Sequence, residues 1–163
     1  MTHRIRDLIP IFVYGTLKTG FPNHFRFCQG VRKVKAAWLY GKMYDMGWGY
    51  PLLELPLERV LVQGTTNIPA DSSLKIDRVD PEIQQLDTSW PRIFGELMFF
   101  DDLPQRLAKL DFLEGFNGGQ NSLYLRVLTS VWVEGDSQSH PAWCYIVGPN
   151  TLDARARRIE TWP

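Results

Sequence analysis

Histidine and cysteine are scarce in this chain, and neither is grouped. His3, His24 and His140 lack the spacing of metal ligands, so no metal or other cofactor is expected. Cys28 and Cys144 stand far apart, with no Cys-x-x-Cys pair. That argues against a disulfide framework and for a reducing, cytoplasmic setting in which both thiols are packing residues. Excess charge is absent too: 18 basic residues balance 18 acidic ones. A phosphate footprint needs a basic excess or patch, so nucleic acid is not the expected partner. The one tight basic cluster, Arg155, Arg157 and Arg158, is interleaved with Asp153 and Glu160 and reads as a solvated helix face. No run approaches the roughly 20 apolar residues of a membrane span, and the apolar run near the start is too short for a signal peptide. Repeats and low-complexity segments are missing. So are a Gly-x-Ser-x-Gly elbow and a Ser/His/Asp or Cys/His triad, which a hydrolase with its own nucleophile would normally show.

What is present is a chain of 163 residues, 44% hydrophobic. That is enough for a real core, and residues 1–163 read as one soluble domain. After a loose lead-in, Ile11, Phe12 and Val13 form a short buried-strand run. Residues 23–30 suit a short helix or an irregular cover. Strand material follows at 31–45, 52–57 and 60–62, with an aromatic turn at Gly47-Trp48-Gly49-Tyr50-Pro51 whose rings pack on the core or line a pocket mouth. Residues 92–100 and 124–133 are strands, and 135–140 is a hairpin loop leading to a partner strand at 142–147. Asn150 caps a final helix through Glu160. Many strands with few helices give an α+β chain built on a curled sheet.

Two stretches carry candidate chemistry. In Tyr14-Gly15-Thr16-Leu17 a buried strand runs into a Gly turn and leaves consecutive N–H groups without sheet partners. Converging, they make a nest for an anion or a carbonyl oxygen, and Gly15 admits a ligand or a second backbone. An ordinary strand–turn is the alternative. The second stretch is 101–116, a helix with Asp101 or Asp102 as cap, Pro104 in the first turn and Gly115 as stop. Leu103, Leu107 and Leu110 stack on one face, and the next residue on that face is Glu114, while Lys109 and Asp111 turn away. A partly desolvated Glu114 has a raised pKa suited to proton transfer. A Glu that fringes the helix and faces water is the other reading.

Tyr14-Gly15-Thr16-Leu17, then Gly20 and Asn23-His24, Tyr50-Pro51, Gly95-Glu96-Leu97, Leu110-Asp111-Phe112-Leu113-Glu114-Gly115 and Tyr124-Leu125-Arg126-Val127 together resemble the gamma-glutamylcyclotransferase-like family, in particular its small branch that includes gamma-glutamylamine cyclotransferases. The resemblance spans residues 12 to about 147. It implies a small closed β-barrel of mixed strands with flanking helices, substrate binding by the Tyr14–Leu17 turn, and Glu114 as catalytic general acid/base. Two departures bear on substrate identity: an apparent insertion at 67–91, and a polar loop at 117–122. Within the insertion only residues 80–86 suggest a helix, so the segment reads as a lid or interaction loop outside the barrel, anchored by Trp90, Ile83 and Leu86.

The implied reaction fits the missing triad. A γ-glutamyl compound carries its own nucleophile, an α-amine that closes on the γ-carbonyl to give 5-oxoproline. Glu114 moves the proton, and the N–H groups of Gly15, Thr16 and Leu17 hold the carboxylate or the developing oxyanion. Tyr14 and Tyr124 are further substrate-binding candidates whose hydroxyls would orient the amine or Glu114. Arg126 is a third, set to pair with the substrate carboxylate, with a structural salt bridge as its alternative. Glu96 stays outside the catalytic set because a Glu in a half-exposed strand commonly faces water. A non-catalytic small-molecule binding protein that keeps the pocket, and a scaffold acting through residues 67–90, remain open beside the enzyme.

Overall fold

The computed structural model describes residues 8–76 and 89–162. The helix expected over 80–86, with its Ile83/Leu86 pair, and most of the N-terminal lead-in lie outside them. In chain order the described strands are β1 (Ile11–Val13), β2 (Lys33–Tyr40), β3 (Lys42–Asp45), β4 (Pro51–Glu54), β5 (Val60–Gln63), β6 (Arg92–Phe99), β7 (Tyr124–Val133), β8 (Ser139–Val147) and β9 (Arg157–Ile159). The described helices are α1 (Pro22–Phe27), α2 (Ile68–Ser72) and α3 (Leu103–Glu114). None of them is long and apolar enough to cross a membrane.

Five strands close into a barrel. Around the ring run β2, β6, β1, β8 and β7, and β7 returns to β2 through Ala37–Val133 and Trp38–Trp132. The β1–β8 pair is parallel and the other neighbours are antiparallel, so the barrel is mixed as expected. Aromatic stacking reinforces the seam. The Trp38 and Trp132 rings lie 4.9 Å apart and 11° from coplanar, with the Arg92 guanidinium over Trp38 and Arg59 over Trp132. β5 extends the sheet outside the ring on β7, and β4, β3 and β9 form a separate three-stranded sheet.

Strand periodicity divides the core in two. Phe12, Leu39, Leu97, Val127, Val131 and Cys144 point into the barrel. Their neighbours Ile11, Val13, Met98, Leu128 and Trp143 point outward, where α3 covers them. β1 is therefore buried at every position, which is why it reads as a continuous apolar run, and β7 is buried at nearly every one although it carries Arg126, Thr129 and Ser130. Leu103, Leu107 and Leu110 seat the helix and are each at most 1% exposed. At about 1.5–3 kcal/mol per side chain, they make α3 part of the core.

Polar contacts fix what apolar packing leaves free. Asp102 sits at the N-cap of α3 but makes no capping bond; its carboxylate meets Arg106 at 3.0 Å instead. Arg106 carries on to the carbonyls of Phe27 (2.7 Å) and Gln29, satisfying orphan acceptors at the end of α1. Asp111 does not turn to solvent. Its two oxygens accept from Arg126 at 2.9 and 3.2 Å, and one also accepts from the Tyr145 hydroxyl at 2.6 Å.

Two expectations are corrected here. Residues 68–72, expected as loop because only 80–86 suggested a helix in that segment, are helical. They form α2 against α3, and buried Asp71 accepts from Arg126 at 2.9 Å and from the Thr65 N–H at 2.7 Å. Polar composition suggested a lid or interaction loop because the buried partner of Asp71 lies 55 residues away. The C-terminal helix is also absent. Turns at Gly148–Thr151 and Asp153–Ala156 lead into β9, which pairs with β3. Arg157 reaches Asp45 (3.0 Å) and Arg158 lies over Tyr44, so these two arginines of the basic cluster decorate a strand, while Arg155 pairs with Asp153 in the turn before it.

Replacing Arg126 by Leu strands two buried carboxylates, and should cost about 3–5 kcal/mol of stability. Urea unfolding of wild type and Arg126→Leu at equal temperature measures it. A loss below about 1 kcal/mol would show that the network contributes little.

Candidate functional site

The pocket forms where β1 ends and α3 stops. β1 delivers the chain into Gly15–Lys18, a turn closed by the Lys18 N–H donating to the Gly15 carbonyl at 3.1 Å. Within the described residues the N–H groups of Gly15, Thr16 and Leu17 have no backbone acceptor. The turn is braced from α1: Asn23 Nδ2 donates to Thr16 Oγ1 at 3.0 Å, and His24 Nδ1 lies 3.0 Å from the Leu17 carbonyl. Gly15 is needed for a close approach. A Cβ there would sit 2.7 Å from Cγ of Pro51, so the neighbour admitted is the first residue of β4.

Glu114 is the last residue of α3. Gly115 ends the helix in the left-handed conformation, φ 65°, and returns its N–H to the carbonyls of Asp111 and Phe112. The carboxylate thus leaves the helix at the negative end of its dipole, beyond the Leu103–Leu107–Leu110 stripe. Burial pushes its pKa up to about 7, and no hydrogen bond among the described residues offsets it.

An inner crevice of about 40 Å³ lies between the turn and Glu114, walled by Tyr50, Pro51, Tyr124 and Tyr145. It adjoins an outer cleft of about 230 Å³, with Thr16, Tyr50, Glu114 and Tyr124 common to both. The hydroxyls of Tyr14, Tyr124 and Tyr145 are turned to protein acceptors. Tyr14 donates to the Tyr145 carbonyl (2.6 Å), Tyr124 to the Pro51 carbonyl and Tyr145 to Asp111. Their rings therefore present apolar surface to Glu114. Burial, with a contribution from the Glu114 charge, raises the pKa of Tyr14, Tyr50, Tyr124 and Tyr145.

Tyr14, Gly15, Thr16, Leu17, Glu114 and Tyr124 thus meet in one pocket. Arg126 does not join them, a correction to its place among the substrate-binding candidates. It is 0% exposed and fully engaged by Asp111, Asp71 and the Thr65 carbonyl, with its guanidinium over Trp143. Glu96 accepts the Thr19 N–H at 2.5 Å and so braces the turn from behind. Tyr145 was not singled out from sequence, although the hairpin register pairs it with Arg126, one alternation step from Tyr124. Both buried cysteines have raised pKa values, that of Cys28 about 11, chiefly through burial, which fits the packing role inferred for them.

The family model for gamma-glutamyl cyclotransferase, AIG2-like, matches residues 11–88 and 81–162. A gamma-glutamylaminecyclotransferase from Bos taurus is 34% identical over 113 residues, 68% of this chain and 61% of that protein. The chain therefore spans about three-fifths of the length of this relative. Among solved structures, a mouse AIG2-like protein superposes with a TM-score of 0.57 at 20% identity, covering 96% of this chain and 89% of that one. YkqA from Bacillus subtilis gives 0.53 at 19% identity over 95% of this chain and 39% of its own, and an Arabidopsis thaliana protein gives 0.52 at 18% over 91% and 73%. At these identities the superpositions bear on the fold, a closed mixed barrel with few helices.

A carboxyl whose pKa rises from 4.5 to about 7 on folding binds more protons in the native state between those values. Stability contributed by Glu114 is then full below about pH 4.5 and lost as pH rises through 7, by at most about 3 kcal/mol. Glu114→Gln should accordingly gain stability over wild type at pH 8.5 but not at pH 5. Thermal melts of both proteins at the two pH values test this, and a difference independent of pH would contradict the raised pKa.

Proposed function

The chain belongs to the gamma-glutamyl cyclotransferase, AIG2-like family, and on that premise we propose that it cyclises a γ-glutamyl amine or amide to 5-oxoproline and releases the amine. The observation that carries this is the pairing, across one crevice, of a desolvated Glu114 with a turn whose N–H groups lack backbone acceptors.

The reaction needs no protein nucleophile and consumes no water. The α-nitrogen of the substrate attacks the γ-carbonyl carbon, a C–N bond closes the five-membered lactam, and the C–N bond to the leaving amine breaks. Two protons leave the attacking ammonium and two reach the departing nitrogen. Ionised Glu114 takes a proton from the α-ammonium and, once protonated, returns it to the leaving group. A pKa near 7 suits both halves, since acid and base forms are populated together. The N–H groups of Gly15, Thr16 and Leu17 hold negative charge on the substrate carboxylate or the carbonyl oxygen. Confinement in the crevice keeps the glutamyl chain folded and supplies proximity.

Glu114→Gln keeps shape but cannot cycle a proton. Release of 5-oxoproline from a γ-glutamyl amide should fall by about 100-fold or more. In the wild type, kcat/KM should decline as pH drops below about 7, because protonated Glu114 cannot accept a proton. A glutamine variant with near wild-type turnover, or an acid limb near pH 4, would overturn the role given to Glu114.

A further inference from the structure

The small sheet of β4, β3 and β9 holds the Gly15–Lys18 turn at both of its ends. At the start, a Cβ on Gly15 would lie 2.7 Å from the ring of Pro51, the first residue of β4. At the close, the Lys18 ammonium donates at 2.9 Å to the carbonyl of Trp162, just past the end of β9. β3 pairs with both β4 and β9, so Pro51 and the segment leading to Trp162 belong to one framework. Ile159 and Trp162 pack against the apolar cluster that contains Tyr14 and Leu53, an anchor for that segment that does not depend on Lys18. Lys18 is also the residue on which the turn closes. Its N–H meets the Gly15 carbonyl, and its own carbonyl accepts the Phe21 N–H at 3.1 Å on the way into α1. Side chains of α1 and β6 reach Thr16, Leu17 and Thr19, whereas Lys18 carries the contact with the C-terminal segment.

Resting on the cyclotransferase reading, we infer that Lys18 is a positioning residue: tied to the Trp162 carbonyl, it keeps the N–H groups of Gly15, Thr16 and Leu17 converging on the negative charge of the ligand, and the segment after β9 serves as a strap for the binding turn. A nest is made by the directions of consecutive N–H groups, so a small rotation at its closing residue scatters the donors. A hydrogen bond from an ammonium to a carbonyl is charge-assisted and resists that rotation. The Phe21 ring, 5.4 Å from the same ammonium, holds the lysine stem on this course. Lys18 thus acts on the ligand through the backbone of the turn, and Trp162, which lines neither the inner crevice nor the outer cleft, shares in the effect.

Three single variants and one double test the strap. Lys18→Met keeps the stem and removes the donor, Lys18→Arg restores a donor, and Trp162→Ala removes the anchor while sparing every strand pair, since it lies past β9. Turnover is read as 5-oxoproline released from γ-glutamyl-methylamide and from Nε-γ-glutamyl-lysine, and binding as the Kd of 5-oxoproline by calorimetry. Lys18→Met should lower kcat/KM and weaken 5-oxoproline by about tenfold each, with the acid limb of the pH profile unmoved because Glu114 keeps its surroundings. Lys18→Arg should return to within about threefold of wild type. Trp162→Ala should reproduce the loss, and the double variant Lys18→Met/Trp162→Ala should fall no further than either single. Wild-type behaviour of Lys18→Met would overturn the inference. So would a loss in Lys18→Met that Trp162→Ala does not share, or losses that add in the double variant, since the ammonium would then meet the ligand directly. Each of these leaves the cyclisation standing. Absence of 5-oxoproline from both substrates with the wild type would overturn the cyclotransferase reading and this inference with it.

Discussion

The buried guanidinium of Arg126 is the contact on which the site's geometry depends. It projects from β7 and is gripped by Asp111 of α3 and Asp71 of α2, and it also donates to the Thr65 carbonyl. Apolar packing alone permits a helix to slide or turn on a sheet by a fraction of a residue, because Leu103, Leu107 and Leu110 bury similar area in neighbouring registers. A bidentate ion pair does not permit that. Asp111 and Glu114 are three residues apart on one helix, so fixing the first on β7 fixes where the second emerges. The same Asp111 holds the Tyr145 hydroxyl, and through it one wall of the crevice. A residue that touches no ligand thereby sets the distance between the carboxylate and the turn.

Glu114 is costly to the fold for the reason that makes it useful in the proposed chemistry. A carboxylate at a helix C-terminus, among tyrosine faces and without a donor among the described residues, is disfavoured as an anion twice over. Four tyrosines lie nearby. Of these, Tyr14, Tyr124 and Tyr145 give their hydroxyl protons to Tyr145, Pro51 and Asp111 respectively. Had one donated to Glu114, the anion would have been stabilised and its pKa drawn back toward 4.5. The environment is aromatic in surface, three of its tyrosine hydroxyls donate elsewhere, and burial places the pKa near 7.

Much of this could be read from the chain. The leucine stripe at helical spacing pointed to Glu114, Gly115 marked the helix end, and the strand running into Tyr14-Gly15 marked the turn. The hairpin of β7 and β8 followed from alternation. What escaped shares one physical cause. A helical wheel assigns Asp111 to the polar face, and strand alternation leaves Arg126 free to face a ligand, since neither device sees a charge pair made between distant elements. Asp71 was lost the same way: its polar neighbourhood suggested solvent, while its partner was a buried arginine in another strand. At the C-terminus, alternating charges suggested a helix face, yet backbone pairing with β3 and the Arg157–Asp45 contact made a strand. Local propensity yields to tertiary pairing at such places.

A single carboxylate shared by two adjoining cavities is the arrangement that the proposed reaction asks for. When the nucleophile belongs to the substrate, attack and departure occur on opposite substituents of one carbonyl carbon, and both nitrogens lie within reach of the same acid–base group. A protein nucleophile would add a second set of positioning demands; here the barrel rim supplies only a turn, a helix end and aromatic walls. In the proposed reaction the inner crevice, lined by the turn, takes the part common to every γ-glutamyl substrate, and the outer cleft the part that varies. The residues particular to the outer cleft come from α1, the loop before β4, the last turn of α3 and the position preceding β7, which lie outside the ring of barrel strands. Such segments can change side chains without disturbing either barrel closure at Trp38–Trp132 or the Arg126–Asp111 pair. On this reading selectivity for the amine is separable from the machinery that closes the lactam, because the two draw on different elements and meet only at Glu114, Thr16, Tyr50 and Tyr124.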